Sequence, residues 1–206
     1  MGTVSATAAT MSAQDSEPIT IVSGLPRSGT SMMMRMLEAG GVSPLTDHVR
    51  KPDEDNPLGY YELEAVKQTK KDASWLQQAC GKAVKMVYRL LYDLPPDHRY
   101  RVVFMRRKLE EVIASQDLML SRRGRRADTL SRDRLRGLFE EQLHEFERWV
   151  ARQPNFQILD VSYNDVLADP RAAAQAVNQF LGGALDVEGM VKVVEPLLYR
   201  QRVGDR

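Results

Sequence analysis

The residues with the strongest chemical implication lie between Ile19 and Ser31. Ile19-Thr-Ile-Val-Ser reads as a short apolar strand, Gly24 opens a tight loop, Gly29 closes it, and a helix begins near Thr30. A strand, a glycine-bounded loop and a helix start in that order aim backbone N–H groups at one point. The helix dipole adds partial positive charge there. Arg27 brings a guanidinium to the loop, and Ser28, Thr30 and Ser31 bring hydroxyls. The chemistry such a cradle supports is the binding of a phosphate-like anion.

The spacing Gly-x-x-x-x-Gly-Thr-Ser matches the phosphate loop of nucleoside triphosphate binders except at one position. Thr30 stands where that motif has Lys, and the cation comes earlier, at Arg27. A magnesium-dependent phosphoryl transferase uses that Lys on the β- and γ-phosphates and an Asp on the metal. Asp160, closing the apolar run Phe156-Gln-Ile-Leu, is the candidate Asp. Without the Lys, a strand-end Asp that faces solvent or caps a turn is the better reading. Sulfuryl transfer asks for less. The moving group carries less negative charge than a phosphoryl group, so arginine and backbone donors suffice and no metal is expected.

The elements that must position these residues alternate along the chain. After the loop, a helix runs to the Gly40–Gly41 pair. Residues 42–59, with Pro44, Pro52, Pro57 and Gly59, form a long loop of the kind that is usually functional. Tyr60 to about Cys80 is expected as a polar helix. Strands are expected at Ala83–Tyr88, Tyr100–Met105 and Phe156–Val161, and helices at Leu109–Leu120, Ser131–Arg152, after Asp169-Pro170, and over 186–195. This alternation predicts an α/β protein, three layers deep, around a parallel, P-loop-like central sheet. Gly24, Arg106, Arg107 and Asp160 then fall on its carboxyl edge, where open α/β sheets bind ligands.

The chain has 206 residues, 43% of them hydrophobic and 28% charged, with a net charge of +1. This describes one globular domain over 18–206, behind a disordered Ala/Ser/Thr-rich tail at 1–17. The near-neutral charge argues against a general binder of nucleic-acid polymers. A single cysteine, Cys80, excludes an internal disulfide, and no apolar run is long enough to span a bilayer. A cytoplasmic location is the expectation. Seven arginines between Arg122 and Arg136 form either a solvated face or a rim that steers anions.

Leu25-Pro-Arg-Ser-Gly-Thr-Ser31 resembles the 5′-phosphosulfate loop of sulfotransferases that use 3′-phosphoadenosine 5′-phosphosulfate (PAPS). Val102-Val-Phe-Met-Arg-Arg-Lys-Leu-Glu-Glu-Val-Ile-Ala-Ser115 is similar to that family's 3′-phosphate motif. Asn56-Pro-Leu-Gly-Tyr-Tyr-Glu62 and Val161-Ser-Tyr-Asn-Asp-Val-Leu-Ala-Asp-Pro170 resemble stretches of bacterial members. The resemblance implies that Pro26, Arg27, Ser28, Gly29, Thr30 and Ser31 hold the 5′-phosphosulfate, and that Arg107 and Ser115 hold the 3′-phosphate. An arginine at a strand's carboxyl edge and a serine early in the next helix can reach one anion.

The resemblance also shows where this chain departs from the family. The family closes over the nucleotide with a Gly/Lys-rich C-terminal segment, and Tyr199-Arg-Gln-Arg-Val-Gly-Asp-Arg206 matches it poorly; Arg202 or Arg200 is the candidate there. Some branches use a His after the second strand, where this chain has Lys85-Met-Val-Tyr88. Other branches use a carboxylate from the segment after the first helix, and that resemblance points to Glu62 as general base, with His48, Asp47 and Glu64 as alternatives. Lys85 either stabilises the sulfuryl oxygens or is a solvated lysine. The acceptor (small molecule, lipid or carbohydrate) and the oligomeric state are not legible. Two other readings stay open. One is a magnesium-dependent kinase or NTPase, resting on the loop and Asp160. The other is a non-catalytic nucleotide-binding protein, resting on the missing His and the atypical C-terminus.

Overall fold

The computed structural model describes residues 17–54, 56–122, 124 and 131–194. The expected tail, apart from Glu17, lies outside the described residues, as do Arg200, Arg202 and the arginines at 123, 125 and 126. Five parallel strands form one sheet: β1 (Ile19–Gly24), β2 (Ser43–Pro44), β3 (Lys82–Lys85), β4 (Tyr100–Arg106) and β5 (Phe156–Ser162). Their spatial order is β2-β3-β1-β4-β5, with β1 in the centre. From β1 the chain goes to the edge strand β2, returns inward to β3, and then crosses to β4 on the other side of β1. That reversal opens a crevice at the carboxyl end of β1.

Side-chain alternation builds both outer layers. Ile19 and Ile21 of β1, with Val102 and Phe104 of β4, pack toward α2 (Leu109–Arg122) and α3 (Arg132–Val150) through Val112 and Phe146. Val22, Val103 and Met105 face the other way. They meet Met33, Met34, Met36 and Leu37 of α1 (Thr30–Ala39), Val166 of α4 (Tyr163–Ala168), Val177 of α5 (Pro170–Leu181) and Met190 of α6 (Val187–Lys192). The three-layer α/β arrangement with a parallel sheet stands as expected. At the head of α5, Asp169 caps the helix by accepting from the Ala172 N–H at 3.0 Å, and Pro170 follows it.

Three expectations need correction. Residues 60–80 are not one polar helix but two single-turn 3₁₀ segments, Glu64–Gln68 and Ser74–Gln78. The buried apolar residues there are Tyr60, Val66, Trp75, Leu76 and Ala79, too few and too unevenly spaced for a continuous helical stripe. Thr69 Oγ1 instead joins the two turns, donating to the Val66 carbonyl and accepting from Trp75 Nε1. The strand expected to reach Tyr88 stops at Lys85 and is followed by a third 3₁₀ segment, Tyr88–Asp93. The 42–59 loop contains the two-residue strand β2, paired with Lys82 and Ala83 at the sheet edge, the position where a proline in a strand is tolerated. Among the described residues, no helix is long and apolar enough to cross a membrane.

Candidate active site

The cradle begins at Gly24, the last residue of β1, where φ is 148°. A Cβ there would stand 2.6 Å from both the Met105 carbonyl oxygen and Ser28 Oγ, so β4 and the loop can close only around a glycine. Arg27 takes the left-handed region at φ 73°, a conformation that costs a non-glycine residue energy. Gly29 follows at φ 98° and precedes Thr30, the first residue of α1. The helix start has neither a side-chain cap nor an acidic residue in its first turn. Its first N–H groups are therefore not satisfied by capping, as an anion site at a helix N-terminus requires. Ser28 Oγ is buried against the loop and, among the described residues, has no hydrogen-bond partner. Pro26, by contrast, is exposed.

Gly29 is also fixed from below. Its Cβ would lie 2.3 Å from the ring of Tyr163, which heads α4. Gly29→Ala therefore combines a left-handed backbone with an overpacked aromatic contact. A loss of about 1–3 kcal/mol is expected from the overpacking, visible in urea unfolding as a lower midpoint at constant slope. An unchanged midpoint would mean that the ring moves aside freely.

Lys85 and Ser31 meet at the mouth of the cradle. Lys85 ends β3, two strand positions from the loop, and its Nζ donates to Ser31 Oγ at 2.9 Å and to the Tyr60 carbonyl at 2.5 Å. Burial pushes the Lys85 pKa down to about 8; Glu62 opposes the shift, while Arg50 and Arg27 add to it. Ser31 Oγ also accepts from Asn56 Nδ2 at 2.9 Å. The 42–59 loop is thereby tied to α1.

Glu62 stands on the same side. One of its oxygens accepts from Arg50 Nη1 at 2.6 Å, and the Arg50 guanidinium lies 3.3 Å above the ring of Tyr60. Burial and a hydrogen bond to Asp53 push the Tyr60 hydroxyl up to about 12. His48 is exposed at φ 56°, and among the described residues nothing ties its imidazole to the cradle. Asp47 and Glu64 hold each other, the Asp47 carboxylate accepting from the Glu64 N–H at 2.6 Å. That bond holds the Asp47 pKa below its ordinary value.

Arg107 and Ser115 reach the loop rather than standing apart from it. Ser115 Oγ accepts from Arg27 Nε at 3.0 Å, and Arg107 Nη1 donates to the Arg27 carbonyl at 3.1 Å. The two anion-binding motifs read from the sequence therefore form one continuous site joined through Arg27. Such a site can hold two anionic groups on one ligand, with Lys85 tied to it through Ser31 and Glu62 close enough to Lys85 to act on its charge.

The sulfotransferase domain model matches residues 17–202. The chain belongs to the sulfotransferase family. The fold agrees. The sulfotransferase domain of the Synechococcus PCC 7002 olefin synthase superposes with a TM-score of 0.58 at 16% identity, covering 93% of this chain and 90% of that one. The sulfotransferase domain from the curacin biosynthetic pathway gives 0.53 at 14% identity, covering 87% and 79%. The sulfotransferase STF1 of Mycobacterium tuberculosis H37Rv gives 0.51 at 17% identity, covering 86% and 70%. No curated protein matches the sequence significantly.

Within this sulfotransferase, Asp160 is not part of the cradle. It pairs in register with Phe104, and its carboxylate accepts from Arg106 Nε at 2.6 Å, beside Glu147 of α3. The described members of the arginine cluster are largely ion-paired: Arg132 with Asp117, Arg136 with Glu110 and Glu140, and Arg122 with Glu54. Most of the aromatic residues pack in the core, with Trp75 and Tyr88 buried and Tyr92 against Trp149. The sequence reading passed over Asn56, Arg50, Glu111 and Asn164. Glu111 stands one helical turn after Arg107, and Asn56 and Asn164 lie within the stretches that resemble bacterial family members, so of the four Arg50 alone carried no local signal.

Proposed function

We propose that this sulfotransferase moves a sulfuryl group from PAPS to a hydroxyl or amine of a small-molecule, lipid or carbohydrate acceptor. One observation carries the reading: the uncapped α1 terminus, with the buried, unpartnered Ser28 hydroxyl, is joined through Arg27 to Arg107 and Ser115. A ligand with phosphates at both ends of a nucleoside fits that pair of subsites. A nucleoside triphosphate, with all its phosphates on one end, leaves the second subsite unused.

When bound, PAPS supplies a sulfuryl group on a good phosphate leaving group. Arg27, Ser28, Gly29, Thr30 and Ser31 hold its 5′ end, and Arg107 and Ser115 its 3′-phosphate. Arg27 and the loop N–H groups stabilise charge as it develops on the leaving phosphate oxygen. Lys85, next to Ser31, faces the sulfuryl oxygens. Glu62 takes the acceptor's proton as its oxygen or nitrogen bonds to sulfur and the sulfur–oxygen bond to phosphate breaks. The products are the sulfated acceptor and 3′-phosphoadenosine 5′-phosphate.

Thermal unfolding with that bisphosphate in EDTA, and separately with Mg–ATP, tests the donor. A ligand at 100 times its Kd stabilises by about 2.7 kcal/mol, and that shift is expected for the bisphosphate in EDTA. A shift with Mg–ATP alone overturns the reading. A shift with the bisphosphate but no transfer in a broad acceptor screen leaves a donor-binding protein without the transferase step.

A further inference from the structure

One buried carboxylate has no part in the reaction described so far. Glu111 sits in the first turn of α2 and its side chain is 1% exposed. Burying a carboxylate is costly unless charge and hydrogen bonds compensate it. Arg107 Nε donates to Glu111 Oε2 at 2.9 Å, and Asn164 Nδ2 approaches Oε1 and Oε2 at 3.2 and 3.4 Å. Asn164 is the second residue of α4, so the carboxylate links α2 to α4 directly under the cradle.

The consequence falls on Arg107. Its Nε is fixed by Glu111, its Nη1 by the Arg27 carbonyl, and its guanidinium lies 4.4 Å over the ring of Tyr163. Two hydrogen bonds and a stacking surface define the guanidinium plane. A free arginine side chain carries about 2 kcal/mol of rotamer entropy, which is here removed before any ligand arrives. Planar, oriented hydrogen bonding is what makes arginine selective for phosphate.

We infer that Glu111, braced by Asn164, is the positioning residue for Arg107 and sets the enzyme's preference for a nucleotide with a 3′-phosphate. This rests on the donor reading above. A competing effect has the opposite sign: a carboxylate beside an anion subsite repels the anion. Orientation prevails over repulsion if removing the carboxylate weakens binding of the 3′-phosphorylated nucleotide.

The test compares two ligands by calorimetry, 3′-phosphoadenosine 5′-phosphate and adenosine 5′-monophosphate, which differ only in the 3′-phosphate. The wild type is expected to prefer the bisphosphate. Glu111→Ala is expected to cut that preference about 10- to 100-fold, the worth of a charged hydrogen bond, while monophosphate affinity changes less than about twofold. Asn164→Ala, which leaves the ion pair in place, is expected to act in the same direction more weakly, and Glu111→Asp to restore part of the loss.

In an Arg107→Ala background, Glu111→Ala is expected to add nothing further, because it acts through Arg107. That double variant also leaves no unpaired buried charge, so the comparison stays readable even where Glu111→Ala alone is destabilised. Unchanged preference, tighter bisphosphate binding, or equal loss for both ligands in Glu111→Ala overturns the inference. So does a further drop in preference in the Arg107→Ala background. A wild type that binds the two ligands equally overturns the donor reading itself.

Discussion

Arg27→Ala is expected to lower turnover about 10²–10³-fold, the order of loss that removal of one transition-state hydrogen-bond donor causes in other enzymes. The backbone argument makes this a test of the guanidinium alone. Arg107 is held by the Arg27 carbonyl, which alanine keeps, and both residues pay a similar cost for the left-handed conformation at φ 73°. What disappears is the cation and its bond from Nε to Ser115 Oγ. Arg27→Lys keeps the charge as a compact ammonium but not the planar fork, so it is expected to recover only part of the rate. The measurement is single-turnover transfer to any acceptor that the wild type sulfates, followed by release of 3′-phosphoadenosine 5′-phosphate. Near-normal turnover in Arg27→Ala would remove Arg27 from the reaction.

The fold was legible in the sequence where burial on both sheet faces demanded continuous apolar runs. β1 and β4 show this, whereas the edge strand β5 is only half-buried and exposes Gln157 and Asp160; Gly24 and Gly29 sit where only glycine fits. The segments around the 42–59 loop were not legible, because their order comes from tertiary contacts rather than period. Thr69 stitches two short turns together, and β2 is two residues long. The same division runs through the site. The loop, Arg107 and Ser115 are local motifs and could be read directly. The bond from Arg27 to Ser115 spans 88 residues, and nothing in either motif announces it. Arg50 likewise comes from a loop segment with no pattern of its own, and although Asn56 opens a stretch that resembles bacterial family members, only the folded chain brings the two to Glu62 and Ser31.

Lys85→Met is expected to cost turnover by about 10²–10³-fold while making the protein more stable at neutral pH. The two effects have one origin. Lys85 is a buried amine whose folded pKa of about 8 lies below its ordinary value of 10.5. Below pH 8 both folded and unfolded chains carry the proton, and the fold bears the full cost of burying the charge, on the order of 3 kcal/mol. Between pH 8 and 10.5 the unfolded chain holds more protons than the folded one. Stability therefore rises with pH across that window, and above it the cost is gone. Methionine has no charge to bury, so its stability advantage over the wild type should be greatest below pH 8 and fade toward pH 10.5. Transfer runs the other way. If the ammonium faces the sulfuryl oxygens, wild-type turnover falls as pH rises past about 8, and a bound anion moves that midpoint upward. Urea unfolding of both proteins at pH 7, 8, 9 and 10, beside the wild-type rate profile, measures the two trends together. A stability difference that does not change with pH would show that Lys85 is not held as a buried charge. A flat rate profile would show that its charge is not used in transfer.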